Sequence, residues 1–194
     1  ISKRTFSHAL WKRPFFISTT MAHHYPRQLS YGANNAVIAL SETEAGKLFG
    51  GDTRSDIGSE AEKMKFANNI NGLTVTFIRL DIHIPTGYEM IVMERLYPID
   101  FRAFEYEKRQ PWFEVFIDEM NQLHKAGFVH RDIKRPSEIG GEPYDNVFLT
   151  QNGLRLIDVG ISALQSQVGD KLYSKFIEKE RKEIQEFGTY FLGR

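Results

Sequence analysis

Apolar and polar positions change their period partway along the chain, and the change divides it into two kinds of structure. Residues 37–40 are apolar, Ser41-Glu42-Thr43 supplies turn chemistry, and residues 45–49 resume the apolar run, so 29–49 reads as a β-hairpin. A loop rich in Gly, Asp and Ser occupies 50–59. Residues 60–70 then place Met64, Ala67 and Ile70 at helical spacing behind Ser59 as N-cap, with Gly72 closing the helix. The β-rich runs 73–80 and 88–96 flank 81–87, where Pro85-Thr86-Gly87 makes the turn, and they are expected to pair as antiparallel neighbours.

Beyond these strands the period becomes helical. Phe113, Phe116, Ile117, Met120 and Leu123 form one stripe of a helix that stops at Gly127. Asn152-Gly153, between the apolar runs 147–149 and 154–157, is a strong hairpin signal. Asp170 caps a last helix whose Tyr173, Phe176, Ile177, Ile184 and Phe187 face inward and which Gly188 ends. Strands with one helix, followed by helices with one small hairpin, predict an α+β fold in two lobes.

Composition narrows the chemistry. The 194 residues are 41% hydrophobic, enough to bury roughly 70% of the unfolded surface. No cysteine is present, which excludes disulfides, thiol nucleophiles and thiolate metal sites. No apolar run approaches the ~18 residues of a membrane span, so a soluble chain without a membrane partner is expected. The 25 Lys+Arg balance 25 Asp+Glu and give no support for nucleic-acid binding. The balance is uneven, because residues 1–41 hold Lys3, Arg4, Lys12, Arg13 and Arg27 and no acidic residue. Residues 1–28 therefore read as a basic, solvated leader, and 29–194 as the folded domain, with lobes at 29–95 and 96–194. His23-His24 lacks nearby carboxylates and reads as surface, not as a metal pair.

The sharpest chemical feature is His130-Arg131-Asp132-Ile133-Lys134, placed directly after a helix and the apolar step Phe128-Val129. Asp145-Asn146 precedes one strand of the predicted hairpin, and the other strand ends in Asp158-Val159-Gly160. In these motifs the sequence resembles the protein-kinase superfamily, whose catalytic loop carries an Asp and an Asn and whose next strand ends in Asp-Phe-Gly. The resemblance implies a minimal bilobal kinase fold binding ATP and Mg²⁺. Asp132 would be the catalytic base, Asn146 and Asp158 the Mg²⁺ ligands, and Lys134 the lysine that Ser/Thr-directed kinases place near the transferred phosphoryl. Ala45-Gly46-Lys47 resembles the strand lysine that holds the nucleotide phosphates, with Glu60 as its helical partner and Glu62 as the alternative. Residues 91–96 resemble the hinge, with Met93 as gatekeeper and the amides of Glu94 to Leu96 reading adenine. In the phosphate loop only Gly32 and Val37 keep the expected types, with Ser30 and Asn35 at the outer glycine positions.

Three departures qualify the resemblance. Asp132 and Asn146 lie 14 residues apart where the signature has five, so a Pro- and Gly-bearing insertion over 135–144 must loop out; an alternative register uses Glu138 in place of Asn146. Only 34 residues follow Gly160, too few for a standard activation segment and a full helical lobe, so the last helix stands in for what is missing and Arg131 lacks its usual phosphoresidue partner. The phosphate loop is degraded. Cut-down kinases of this kind resemble the lipopolysaccharide-kinase and Bud-type atypical kinases and the HopBF family of bacterial type III effector kinases. That last resemblance implies delivery into a host cytosol and phosphorylation of the host 90-kDa heat-shock chaperone. The expected protein is a monomeric protein Ser/Thr kinase; a pseudokinase binding module and a small-molecule phosphotransferase of the aminoglycoside or sugar type are the alternatives.

Overall fold

The computed structural model describes residues 25–31, 36–50, 56–136 and 141–193. The basic positions up to Arg13, the His23-His24 pair, Gly32, Asn35 and Glu138 lie outside the described residues. The fold is α+β: a five-stranded antiparallel sheet with one helix comes first, and a mainly helical part follows.

Strands β1 (Arg27–Tyr31), β2 (Ala36–Ala39), β3 (Glu44–Phe49), β4 (Phe77–His83) and β5 (Tyr88–Glu94) lie in the order β1-β2-β3-β5-β4. The predicted hairpin is β2–β3, and β1 adds a third strand to it. Alternation gives the sheet two buried faces. Ile38, Leu48, Met90 and Val92 cluster on one, and Phe49 and Ile91 join the main core on the other.

Helix α1 spans Ile57–Asn68 and begins earlier than expected. Asp56, not Ser59, is its N-cap: the Asp56 carboxylate accepts the Ser59 amide at 2.6 Å, and an ionised side chain is the stronger acceptor for an orphan amide. The helix ends at Asn69, ahead of Gly72.

The run expected as one strand over 73–80 is split. Leu73, Thr74 and Val75 are at most 2% exposed. A segment buried on every side suits a wedge between lobes better than the half-open strand that alternation predicts. The Val75 amide donates to the Leu156 carbonyl and the Leu156 amide to the Leu73 carbonyl, both at 2.8 Å, so this wedge stitches the sheet to the second lobe.

Helix α2 (Tyr106–Ala126) ends at Gly127, whose φ of 98° is the left-handed conformation a C-cap glycine supplies. Strand β6 (Phe128–Val129) pairs with β9 (Ala163–Leu164), and β7 (Val147–Thr150) forms the predicted hairpin with β8 (Gly153–Leu156). A single turn, α3 (Gln165–Val168), leads into α4 (Asp170–Leu192).

Helix α4 runs through Gly188, which was expected to end it. The reason is packing: a Cβ at Gly188 would lie 2.5 Å from the Phe113 ring, so the glycine lets α2 and α4 approach closely. Phe116, Phe187 and Phe191 fill the space between the two helices, while Ile117, expected on the inward stripe, is 37% exposed.

Candidate active site

The upper wall of the cleft is built by β3 and α1. Lys47 lies mid-strand, opposite Val37 on β2 and Ile91 on β5, which fixes the face it projects from. One turn into α1, Glu60 meets it. The Lys47 Nζ bonds Glu60 Oε1 at 2.7 Å and Asp158 Oδ1 at 2.8 Å. Glu62, the alternative partner, is two residues on and lies on the exposed side of α1. Burial opposes the Lys47 ammonium, but Asp158 and Glu60 together outweigh it and hold its pKa above the ordinary lysine value. Burial also opposes ionisation of Asp158, yet Lys47 and the Gly160 amide pull its pKa below the carboxylate range. Glu60, only 2% exposed and with Oε2 unpartnered among the described residues, is pushed up by burial, and Lys47 only partly offsets this. A second lysine that the sequence did not single out, Lys63 of α1, donates to the Gly160 carbonyl at 2.9 Å and ties the helix to the Asp158-Val159-Gly160 turn.

The lower wall begins where β6 delivers His130 to the cleft. His130 is fully buried; its Nε2 donates to the Ile157 carbonyl at 2.9 Å, and its Nδ1 accepts the Asp132 amide at 3.3 Å. That pattern selects the neutral Nε2–H tautomer. Arg131 (φ 71°) and Asp158 (φ 57°) both hold left-handed backbone, a conformation that L side chains adopt only where surrounding contacts impose it. At Arg131 the contacts are explicit. Its guanidinium donates to the Ile161 carbonyl at 2.8 Å and lies 4.1 Å from the Phe176 ring, so protein groups occupy it. Its amide donates to Glu180 on α4.

The residue that holds this loop, Glu180, is not among those expected from the sequence. It is 1% exposed and accepts from His124 Nε2 at 2.8 Å, from the His130 amide at 3.2 Å and from the Arg131 amide. A signal was present, because Glu180 sits in the middle of the apolar stripe Tyr173, Ile177, Ile184 and Phe187. A carboxylate on a core-facing stripe has to be paired with donors.

The long insertion closes at its base. The Arg135 amide donates to the Pro143 carbonyl at 2.8 Å, the Arg135 guanidinium pairs with Asp145, and Tyr144 packs against Phe187 and Tyr190. Asn146 thereby returns to Asp132: its Nδ2 donates to Asp132 Oδ2 at 2.9 Å and to the Asp132 carbonyl at 3.0 Å. Asn146 Oδ1 is left as that side chain's acceptor, and Asp158 is half exposed. One carboxylate plus an amide oxygen suits Mg²⁺, which keeps waters and takes phosphate oxygens to complete its shell. Among the described residues no three His, Asp or Glu side chains form a metal cage. Lys134 is half exposed and pairs with Glu186 on α4 at 2.5 Å.

At the hinge the expected adenine-reading amides are reduced in number. The Glu94 amide donates to the Thr76 carbonyl and the Arg95 amide to the Thr43 carbonyl, both at 2.9 Å, so of the three only the Leu96 amide has no backbone partner among the described residues. Met93 is half-buried on the same sheet face as Lys47 and Ile91. Behind the hinge, Arg155 of β8 grips Glu94 through two nitrogens, at 2.7 and 3.2 Å, and joins the lobes a second time. Burial opposes ionisation of Glu94, but Arg155 and Thr76 together hold its pKa below the usual carboxylate range.

No protein-family model matches the sequence, and no curated protein matches it. Many solved structures share its fold. One is PK-1, the kinase of the Cydia pomonella granulovirus, which superposes with a TM-score of 0.52 at 15% identity, over 71% of this chain and 51% of the viral kinase. The chain thus spans about half the length of that protein, and the likeness shows a small, bilobal, kinase-like fold. No described helix is long and apolar enough to cross a membrane.

Proposed function

We propose that this chain is an ATP-dependent protein kinase that transfers the γ-phosphate to a Ser or Thr hydroxyl. The observation that carries the reading is the meeting of two clusters in one cleft: Lys47 with Glu60 and Asp158, and Asp132 with Asn146 across a 14-residue separation. Phosphoryl transfer needs positioning and charge neutralisation more than covalent chemistry, and these groups supply both. Lys47 would hold the nucleotide phosphates, and Asp132 would orient the acceptor hydroxyl and take its proton. The Leu96 amide and the Glu94 carbonyl would meet the adenine edge below Val37 and Met93. Asn146 Oδ1 and Asp158 would hold Mg²⁺, which supplies charge neutralisation on the phosphates when bound. Lys134 supports a protein hydroxyl over a sugar or aminoglycoside acceptor.

The narrower reading, an effector kinase secreted into a host cytosol to phosphorylate its 90-kDa heat-shock chaperone, rests on the resemblance to the HopBF family alone. One experiment tests both levels. Labelled γ-phosphate transfer with Mg²⁺ in eukaryotic cytosolic extract is compared between the chain and its Asp158→Ala variant. A discrete protein band that requires Asp158 supports the kinase, and its mass tests the chaperone. ATP binding without any transfer moves the reading to a pseudokinase, and transfer only to small hydroxyl compounds moves it to a metabolite phosphotransferase.

A further inference from the structure

The sheet ends in a strand whose side chains are complementary to themselves. β4 is the edge strand, and among the described residues none pairs with its outer side. Edge strands are normally kept short, bulged or charged, because their free amides and carbonyls template further pairing. β4 is seven residues long and leaves Ile78, Leu80 and Ile82 exposed by 40%, 49% and 58%, continued at the turn by Ile84 at 91%. Its bulge lies between Phe77 and Arg79, at the start of the strand, and leaves residues 79–83 in unbroken register with β5.

The order of residues says which strand fits. β4 reads Phe77-Ile78-Arg79-Leu80-Asp81-Ile82-His83, with Leu80 at its midpoint. In antiparallel pairing with β4 of a second copy, centred on Leu80, each Leu80 faces the other Leu80, Arg79 faces Asp81, Ile78 faces Ile82 and Phe77 faces His83. Opposite charges and branched aliphatics then meet across the strands, the cross-strand pairs that stabilise a sheet. Neighbouring registers are disfavoured. Centring on Asp81 sets carboxylate against carboxylate, centring on Arg79 sets guanidinium against guanidinium, and a one-residue slip sets Leu80 against a charge. Within one copy Arg79 contacts Glu44 at 2.8 Å and Asp81 at 3.2 Å, yet the Arg79 and Asp81 side chains remain 45% and 43% exposed and keep an open side for a partner.

We infer that β4 is a dimerisation edge, joining two copies through antiparallel β4–β4 pairing centred on Leu80 into one sheet that runs through both. The contact is isologous, so it closes at two copies. It replaces the monomer expected from the sequence and uses none of the cleft residues.

The test is sedimentation velocity on the whole chain across a wide concentration range, with melting curves as the folding control. Wild type is expected to dimerise with rising concentration. Arg79→Asp alone and Asp81→Arg alone set like charges against each other at both paired positions and should weaken the dimer by about 10²-fold or more. An equimolar mixture of these two variants restores opposite charges across the axis and should recover a heterodimer, as should the double variant Arg79→Asp/Asp81→Arg with itself. Leu80→Lys, which sets two ammoniums on the axis, should be monomeric. A wild type that stays monomeric at every concentration overturns the proposal. So does a dimer unaffected by all the single variants, or a mixture of folded charge variants that fails to associate.

Discussion

The upper and lower walls of the cleft hold their charged groups by different physical means. Above, Lys47 is fixed by other charged side chains, Glu60 at 2.7 Å and Asp158 at 2.8 Å. Below, Asp132 rides on a loop held by Glu180, whose carboxylate accepts two backbone amides and the His124 ring. The upper arrangement depends on charge, so neutralising any member changes the field on the others. The lower depends on direction, because amide donors fix where the backbone lies as well as how it is solvated. Under the proposed function, the upper wall would grip phosphates and the lower would aim the base.

Removing the proposed base, Asp132, should have the largest effect and break the comparison at its chemical end. Asp132→Asn keeps the shape and an oxygen to accept from Asn146 but cannot take a proton. Transfer should fall by about 10² to 10⁴, with ATP binding by calorimetry unchanged. If this variant transfers at the wild-type rate, the lower wall is not where chemistry happens.

Next comes the contrast between the two buried carboxylates. Glu180→Ala leaves two amides and an imidazole N–H without their acceptor and should cost about 3 to 5 kcal/mol of stability, read by urea denaturation. Glu180→Gln retains one acceptor oxygen; it should cost about 1 to 3 kcal/mol and lower kcat while leaving the KM for ATP near wild type. Glu60→Gln should do the opposite and act chiefly on the KM for ATP, because it removes charge from the Lys47 cluster without disturbing the loop. Identical kinetic signatures for the two glutamine variants would erase the distinction between the walls.

The parts of this arrangement that could be read from the sequence are those in which side chain meets side chain. Lys47, Glu60, Asp132, Asn146 and Asp158 are reactive types in a recognisable order, and the alternation around them placed most strands. Glu180 was legible only as a carboxylate that must be paired, from its place on the apolar stripe; its partners were not, because two of them are backbone amides, which every residue carries and no spacing encodes. The wedge 73–75 was mistaken for part of β4 for a related reason: burial on every side depends on the other lobe, which local alternation cannot report. Gly188 was read as a helix end when it is a contact point, since a glycine serves close packing as readily as it serves a C-cap.

A smaller effect concerns pH and separates the walls by charge alone. Asp158 titrates below its ordinary 3.8, so the stability from its pairing is fully present above that value and is lost as pH falls through its depressed folded pKa. Lys47 titrates above 10.5, so its contribution is present below that value and is lost as pH rises through its raised folded pKa. Asp158→Asn should therefore destabilise by a constant amount at neutral pH, about 1 kcal/mol because Asp158 is half exposed, and the gap should close in acid below 3.8. The raised pKa of Glu60 works in the opposite sense, and the Asp158 charge is one of its causes, so the rise is smaller in the variant. A gap that widens in acid would mean that Lys47 does not hold Asp158 ionised.

The smallest effect lies at the rim, where the lower wall also uses a charge pair. Lys134 and Glu186 bond at 2.5 Å with side chains 42% and 53% exposed, so water and salt screen them, and Glu186→Ala should leave stability nearly unchanged. Glu186 nevertheless is the group that draws the Lys134 ammonium toward α4. With Glu186 removed, Lys134 is released toward the cleft, and transfer should rise or fall by no more than a few fold. Salt provides the control that a general loosening of α4 does not mimic. Raising ionic strength should change wild-type transfer in the same direction as Glu186→Ala, and should leave the variant itself nearly unaffected. Should the variant respond to salt as strongly as wild type, the pair is a surface contact without influence on Lys134, and directional control of the lower wall ends at Glu180.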